Sequence, residues 1–170
     1  MKKWFFLLLA ATPLIFGACK KDKKSGCTAV ESTQTATAAE IDSLQTYLTA
    51  HGIVAQQHPS GTFYTIDSAG TGLTIPGICN SVVVTYSGYL LGNTVPFQSF
   101  LDTTGLIFSM QDLIVGWQRT MPVLRKGGGM TIYIPPSLGY GSTDKKNADG
   151  DIIVPKNTYM KFNVHLIDIY

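Results

Sequence analysis

Apolar residues recur at helical spacing once, early in the chain, and at strand spacing after it. In residues 39–51 they fall at Ile41, Leu44, Tyr47 and Leu48, one stripe of a helix, with Gly52 as a stop. A packing helix is the plainer reading and a partner-binding helix the other. From Thr62 the period shortens to two. Residues 63–66, 82–86 and 130–134 read as strands, with Gly88 breaking the second and residues 89–91 extending it. Residues 159–169 alternate most clearly and set Met160, Phe162, Val164, Leu166 and Asp168 on one face. Between strands only residues 114–124 suggest a helix. Pro122 limits it, because it has no N–H to return to the preceding turn. The pattern predicts an α+β fold: one antiparallel sheet with a single short helix packed on it, plus the N-terminal helix.

The first nineteen residues follow a different logic. Lys2 and Lys3 precede a mostly apolar stretch over residues 4–16, and the small pair Gly17-Ala18 stands directly before Cys19. This reads as an export signal, too short for a membrane span. The small pair before a cysteine resembles a bacterial lipobox, with Phe16 where Leu is commoner. That resemblance implies cleavage after residue 18, a lipid on Cys19, attachment to a membrane and a place in the cell envelope. An ordinary secretory signal with an incidental cysteine is the alternative. The expected division is a signal at 1–18, a flexible lipid-anchored tether at 19–38, a helix and connector at 39–60, and the main domain at 61–170.

Charge sharpens this division. Six of the thirteen basic residues lie before Ser25, and the chain from there on carries seven basic against ten acidic residues. No basic track remains to follow a phosphate backbone, so nucleic acid is not an expected partner. With 45% hydrophobic and 14% charged residues the chain reads as globular. Cys27 and Cys79 are left as either a disulfide or two free thiols, because spacing in sequence does not give a Cα distance.

Most catalytic chemistries find no footing. There is no Gly-x-Ser-x-Gly elbow. His51, His58 and His165 have no ligand spacing, and Asp144, Asp149 and Asp151 lack the closing Glu of a calcium loop. Gly127-Gly128-Gly129 is not followed by the Lys-Ser/Thr of a phosphate cradle. Neither metal nor cofactor is expected. What remains is aromatic surface at fixed backbone positions: Trp117 behind Leu113-Ile114-Val115-Gly116, and Tyr140 between Gly139 and Gly141.

Here the chain resembles the FKBP family of peptidyl-prolyl cis–trans isomerases. Five pieces carry the resemblance, in order. They are Val84-Thr85-Tyr86-Ser87-Gly88, Val95-Pro96-Phe97, the run from Phe108 to Trp117, Ile134-Pro135 with Leu138-Gly139-Tyr140-Gly141, and Val154-Pro155 through to Phe162. The resemblance implies a curved antiparallel sheet wrapped on one short helix. It implies a site in which Tyr86, Phe97, Trp117, Tyr140 and Phe162 act on the substrate. Gln98, Phe108, Leu113, Ile114 and Val154 would bind around them. Trp117 would be the floor under a prolyl ring, Tyr140 would offer its hydroxyl to a carbonyl, and the N–H of Ile114 would take a second carbonyl. Proline-containing polypeptides and macrolide-type ligands are the implied partners. The implied activity is prolyl isomerisation assisting exported proteins as they fold; the alternative is a peptide-binding or chaperone module with little turnover.

The sequence departs from the family at two linked positions. Gln98 stands where an Asp is usual, and Thr103 where a basic partner for that Asp is usual. The segment before Phe108 is one residue short, which leaves both Leu106 and Ile107 as candidates for the inward position. Residues 142–153 form a long polar flap that reads either as a substrate contact or as a tolerated insertion.

Overall fold

The computed structural model describes residues 26–170. The expected signal, Cys19 and all six basic residues before Ser25 lie outside them. Nine strands are present among the described residues: β1 (Gln56–Gln57), β2 (Phe63–Ser68), β3 (Ser81–Leu90), β4 (Gln98–Phe100), β5 (Leu106–Ser109), β6 (Gly129–Ile134), β7 (Lys145–Lys146), β8 (Ile152–Val154) and β9 (Met160–Ile169). Two α-helices, α1 (Ala38–Ala50) and α2 (Val115–Thr120), complete the regular structure together with three short 3₁₀ turns. The main sheet is antiparallel in the order β1-β2-β6-β9-β3-β4, with β5 also paired to β3. β7 and β8 form a separate hairpin. The fold is α+β, as the sequence pattern predicts.

Alternation explains the two packed faces. Met130, Ile132 and Ile134 of β6 point with Val82, Val84, Phe162, Val164 and Leu166 toward α2, and with Trp117, Met121 and Leu124 they make the main core. Tyr133, on the other parity of β6, faces its register partner Phe63 and is covered by Leu44 and Leu48 of α1. The apolar stripe of α1 is therefore occupied within the chain, which favours the packing reading of this helix. Its start is a capping box: the Thr37 hydroxyl accepts from Glu40 N, while Glu40 bonds back to Thr37 N.

Three expectations change against the structure. Gly88 does not break β3, which runs through it and pairs it with both Gln98 and Phe162. The second helix is shorter than 114–124. It ends at Thr120, and Pro122 sits in a 3₁₀ turn, Met121–Val123, where its missing N–H costs nothing. Asp168 leaves the core face because the β3–β9 register shifts between Val83 and Val84, and Ile169 packs against the core in its place.

The segment expected as a tether reaches the domain earlier than residue 38. Cys27 and Cys79 form a disulfide with their Cα atoms 5.7 Å apart. Ala36 is buried, and its N–H donates to Ser60 O at 2.8 Å. A buried hydroxyl pair then links this region to α2: Thr62 Oγ1 lies 2.9 Å from Thr120 Oγ1, which donates to Gly116 O at 2.7 Å.

Candidate functional site

The site grows from the parity of two long strands. Tyr86 in β3 and Phe162 in β9 share the face that α2 covers, and Trp117 is on the first turn of α2. Close approach here depends on two glycines. A Cβ on Gly88 would stand 2.6 Å from Phe162 Cε1 and 2.8 Å from Phe97 Cζ. A Cβ on Gly116 would stand 2.7 Å from Ile134 Cγ2, so α2 settles on β6 only with glycine there.

Five rings then meet edge to face in one series. Phe97 and Phe162 have centroids 5.8 Å apart, Phe162 and Trp117 5.4 Å, Trp117 and Tyr86 5.7 Å, and Tyr86 and Phe108 6.0 Å. Such pairs add about 0.5–1.5 kcal/mol each beyond their burial, so each ring fixes the next. Above them opens a cavity of about 310 Å³ lined by Tyr86, Gln98, Phe108, Asp112, Leu113, Ile114, Trp117, Tyr140, Lys145 and Phe162. Trp117 is 4% exposed, and its indole Nε1 is buried with no hydrogen-bond partner among the described residues.

The α2 entrance is held by a side chain of the helix itself. Gln118 Nε2 donates to Leu113 O at 2.7 Å and to Gln111 O at 3.1 Å. Ile114 is the N-cap, and its carbonyl accepts from Trp117 N and Gln118 N. Its own N–H has no acceptor among the described residues, as expected of a group ahead of the first helical turn. Burial pushes the Tyr140 phenol above the ordinary phenol range. Burial, and then the neighbouring Tyr140, does the same to Tyr86. Both hydroxyls therefore stay protonated and can donate.

Eight of the ten residues expected at the site line the cavity. Phe97 and Val154 do not. Phe97 meets Phe162 edge to face, and Val154 is buried in the main core. Leu106, not Ile107, is the inward residue of β5; Ile107 is 68% exposed. No hydrogen bond joins Gln98 to Thr103 among the described residues. The carboxylate nearest in sequence, Asp102, is engaged instead by Thr104 N and Oγ1, both at 2.8 Å.

Two lining residues were not singled out from the sequence. Asp112 stands on the rim next to Leu113, and Lys145 Nζ lies 5.7 Å from the Tyr140 ring centroid. The polar flap thus supplies one contact to the cavity through β7. Its tip is an Asn turn, in which Asn147 Oδ1 accepts from Asp149 N at 3.0 Å and Asp151 N at 2.8 Å.

With this geometry the chain can be set beside known proteins. The family model described as FKBP-type peptidyl-prolyl cis-trans isomerase matches residues 74–167, more than half of the chain. FkpA of Buchnera aphidicola subsp. Schizaphis graminum is 33% identical over 110 residues, covering 65% of this chain and 41% of the relative. A Legionella longbeachae protein named outer membrane protein MIP is 32% identical over 111 residues, covering 65% and 45%. The chain spans less than half the length of these curated relatives. Among solved structures, a peptidyl-prolyl cis-trans isomerase of Pseudomonas syringae superposes with a TM-score of 0.61 at 22% identity, over 81% of this chain and 98% of that one. FkpA from Escherichia coli gives 0.59 at 26% identity, over 78% and 58%.

Proposed function

The chain belongs to the FKBP-type peptidyl-prolyl cis-trans isomerases, and from that membership we propose that it speeds rotation about X–Pro bonds in exported polypeptides. The observation that carries this is the aromatic cavity with Trp117 beneath it and three donors around it: the phenols of Tyr86 and Tyr140 and the N–H of Ile114. The uncatalysed barrier, about 18–20 kcal/mol, is mostly lost amide resonance. The planar amide is more dipolar than the twisted one. A dry aromatic wall disfavours the planar form more, while fixed donors hold the flanking carbonyls as the bond turns. No covalent step is required.

The test is a refolding or protease-coupled assay on an X–Pro peptide with the purified protein. Acceleration is expected, and none at any protein concentration would sink the proposal. Because both phenols titrate above their ordinary range, the donors persist as pH rises. We expect kcat/KM to stay within about twofold from about pH 6 to about pH 9, below the ordinary phenol value of about 10. A steep change inside that window would point to a different titrating group.

One observation favours a second reading, a peptide-binding module with weak turnover. Gln98 puts a neutral amide on the rim beside Tyr86, where a carboxylate would accept from the phenol and orient it. Gln98→Asp is expected to raise kcat/KM about threefold with peptide affinity changed less than about twofold. Unchanged turnover in that variant would remove the support for the second reading. Macrolide-type ligands are proposed to compete for the same cavity.

In this proposal residues 1–18 are removed, Cys19 carries a lipid, and the protein works in the cell envelope. Residues 39–60 support the isomerase domain at 61–170. The disulfide supports an oxidising compartment, and the Legionella relative is named as an outer membrane protein.

A further inference from the structure

Tyr140 lies at the end of a run that the sheet does not hold unaided. After β6 the chain turns through Pro136–Leu138, tied within the run by Leu138 N to Pro135 O and by Gly139 N and Gly141 N to Pro136 O, and beyond it by Thr143 N to Tyr140 O and Asn157 N to Gly141 O. Ser137, in the middle of this turn, is gripped from elsewhere. Glu40 Oε1 accepts from Ser137 N at 2.9 Å, and Glu40 Oε2 from Ser137 Oγ at 2.8 Å. Gln34 Nε2 donates to Ser137 O at 2.6 Å. Every polar group of Ser137 is thus bonded to a segment about a hundred residues earlier in the chain.

Glu40 has a second task. Its Oε2 also accepts from Thr37 N at 2.9 Å and Thr37 Oγ1 at 3.0 Å, closing the capping box of α1. Burial pushes the Glu40 carboxyl up, but the hydrogen bonds from Thr37 and Ser137 together outweigh it and hold the group below its ordinary value. The helix it caps is anchored in turn, because Leu44 and Leu48 are fully buried against Phe63 and Tyr133. One carboxylate therefore joins a firmly seated helix to the turn that presents Tyr140. Residues 34–40 lie outside the span matched by the family model, residues 74–167.

We propose that segment 34–40 with α1 is a built-in brace for the Tyr140 turn, and that Glu40 is a positioning residue fixing where that phenol stands over the cavity. The proposal rests on the isomerase reading for its catalytic consequence and on the hydrogen bonds alone for the brace. Charge-assisted bonds are about twice as strong as neutral ones. Misplacing a group by about 1 Å is worth up to about 100-fold in rate.

The experiment uses the full chain with its disulfide intact, as wild type, Glu40→Ala, Glu40→Gln, Ser137→Ala and the Glu40→Ala/Ser137→Ala double variant. Two quantities are read: kcat and KM on an X–Pro peptide, and amide hydrogen exchange residue by residue. Glu40→Ala is expected to lower kcat about tenfold with KM within about twofold. It should also speed exchange at Gly139 and Gly141 about tenfold, leaving Ile132 and Phe162 in the sheet unchanged. Ser137→Ala, which leaves the α1 cap untouched, should act in the same direction. The double variant should fall short of the product of the singles. Glu40→Gln keeps the cap and should retain more activity than Glu40→Ala. Unchanged exchange at Gly139 and Gly141, or a uniform rise across the whole sheet, would overturn the brace. An active wild type with unaltered kcat in Glu40→Ala would overturn the positioning role. A wild type that does not accelerate rotation defeats the isomerase reading and with it the catalytic role of Glu40, while exchange still decides the brace.

Discussion

Trp117→Ala is expected to cut kcat/KM by up to about 100-fold and to cost about 3–5 kcal/mol of stability. The activity figure follows from shape: the indole holds Tyr86 and Phe162 edge to face beneath the cavity, and letting such groups shift by about 1 Å is worth up to about 100-fold in rate. The stability figure follows from position: the indole touches Tyr86 and Phe162 edge to face and is 4% exposed within the main core. Truncation to Ala leaves a void that neither ring can fill without losing the other. Trp117→Phe separates the two effects. It keeps a ring on the floor and removes the unpaired indole N–H, whose burial costs about 1–3 kcal/mol. It should therefore melt close to wild type while retaining a larger share of activity than the Ala variant. A folded Trp117→Ala protein with full activity would exclude the floor role altogether.

The second large effect is on stability without catalysis. Replacing both Cys27 and Cys79 by Ser should lower stability by about 2–4 kcal/mol, read as a fall of about 5–15 °C in Tm. The disulfide closes a loop with a sequence separation of 52, long enough for the unfolded chain to lose substantial entropy when it is formed. Neither cysteine lines the aromatic cavity, so kcat/KM measured well below the melting range should be unchanged. Reductant should lower the Tm of wild type by a similar amount and leave the Ser variant unmoved. If reductant leaves wild type unmoved too, the disulfide contributes nothing to the fold.

These effects differ in how far the sequence announces them. The alternation of β9 is visible because one face is buried along most of its length, and the five aromatic pieces are visible because each sits at a fixed backbone feature. Gly88 misleads for a physical reason. Locally a glycine reads as a break, but its real constraint is set by Phe162 and Phe97, which occupy the space a Cβ would take. The bulge that turns Asp168 away from the core is a property of the β3–β9 pairing and leaves no mark on β9 alone. Asp112 and Lys145 carry no periodic signal, because rim residues are chosen by what they face rather than by what they bury. Thr37 and Glu40 do form a local Ser/Thr-x-x-Glu signature, which reports the cap. It does not report Ser137, brought to the same carboxylate by packing.

The disulfide also has a mechanical meaning. A pull applied ahead of Cys27 passes through the covalent bond to Cys79, two residues before β3 begins. There it enters β3, which is paired on both of its edges. Ser81 exchanges two hydrogen bonds of 2.8 Å with Tyr170, and Asn80 Nδ2 adds a third at 3.0 Å. β3 would then be loaded along its length between β9 and β5, where many ladder bonds must shear together. Residues 28–78, with the capped helix and the grip on Ser137, lie off that load path, so tension applied ahead of Cys27 would leave the Tyr140 turn undisturbed.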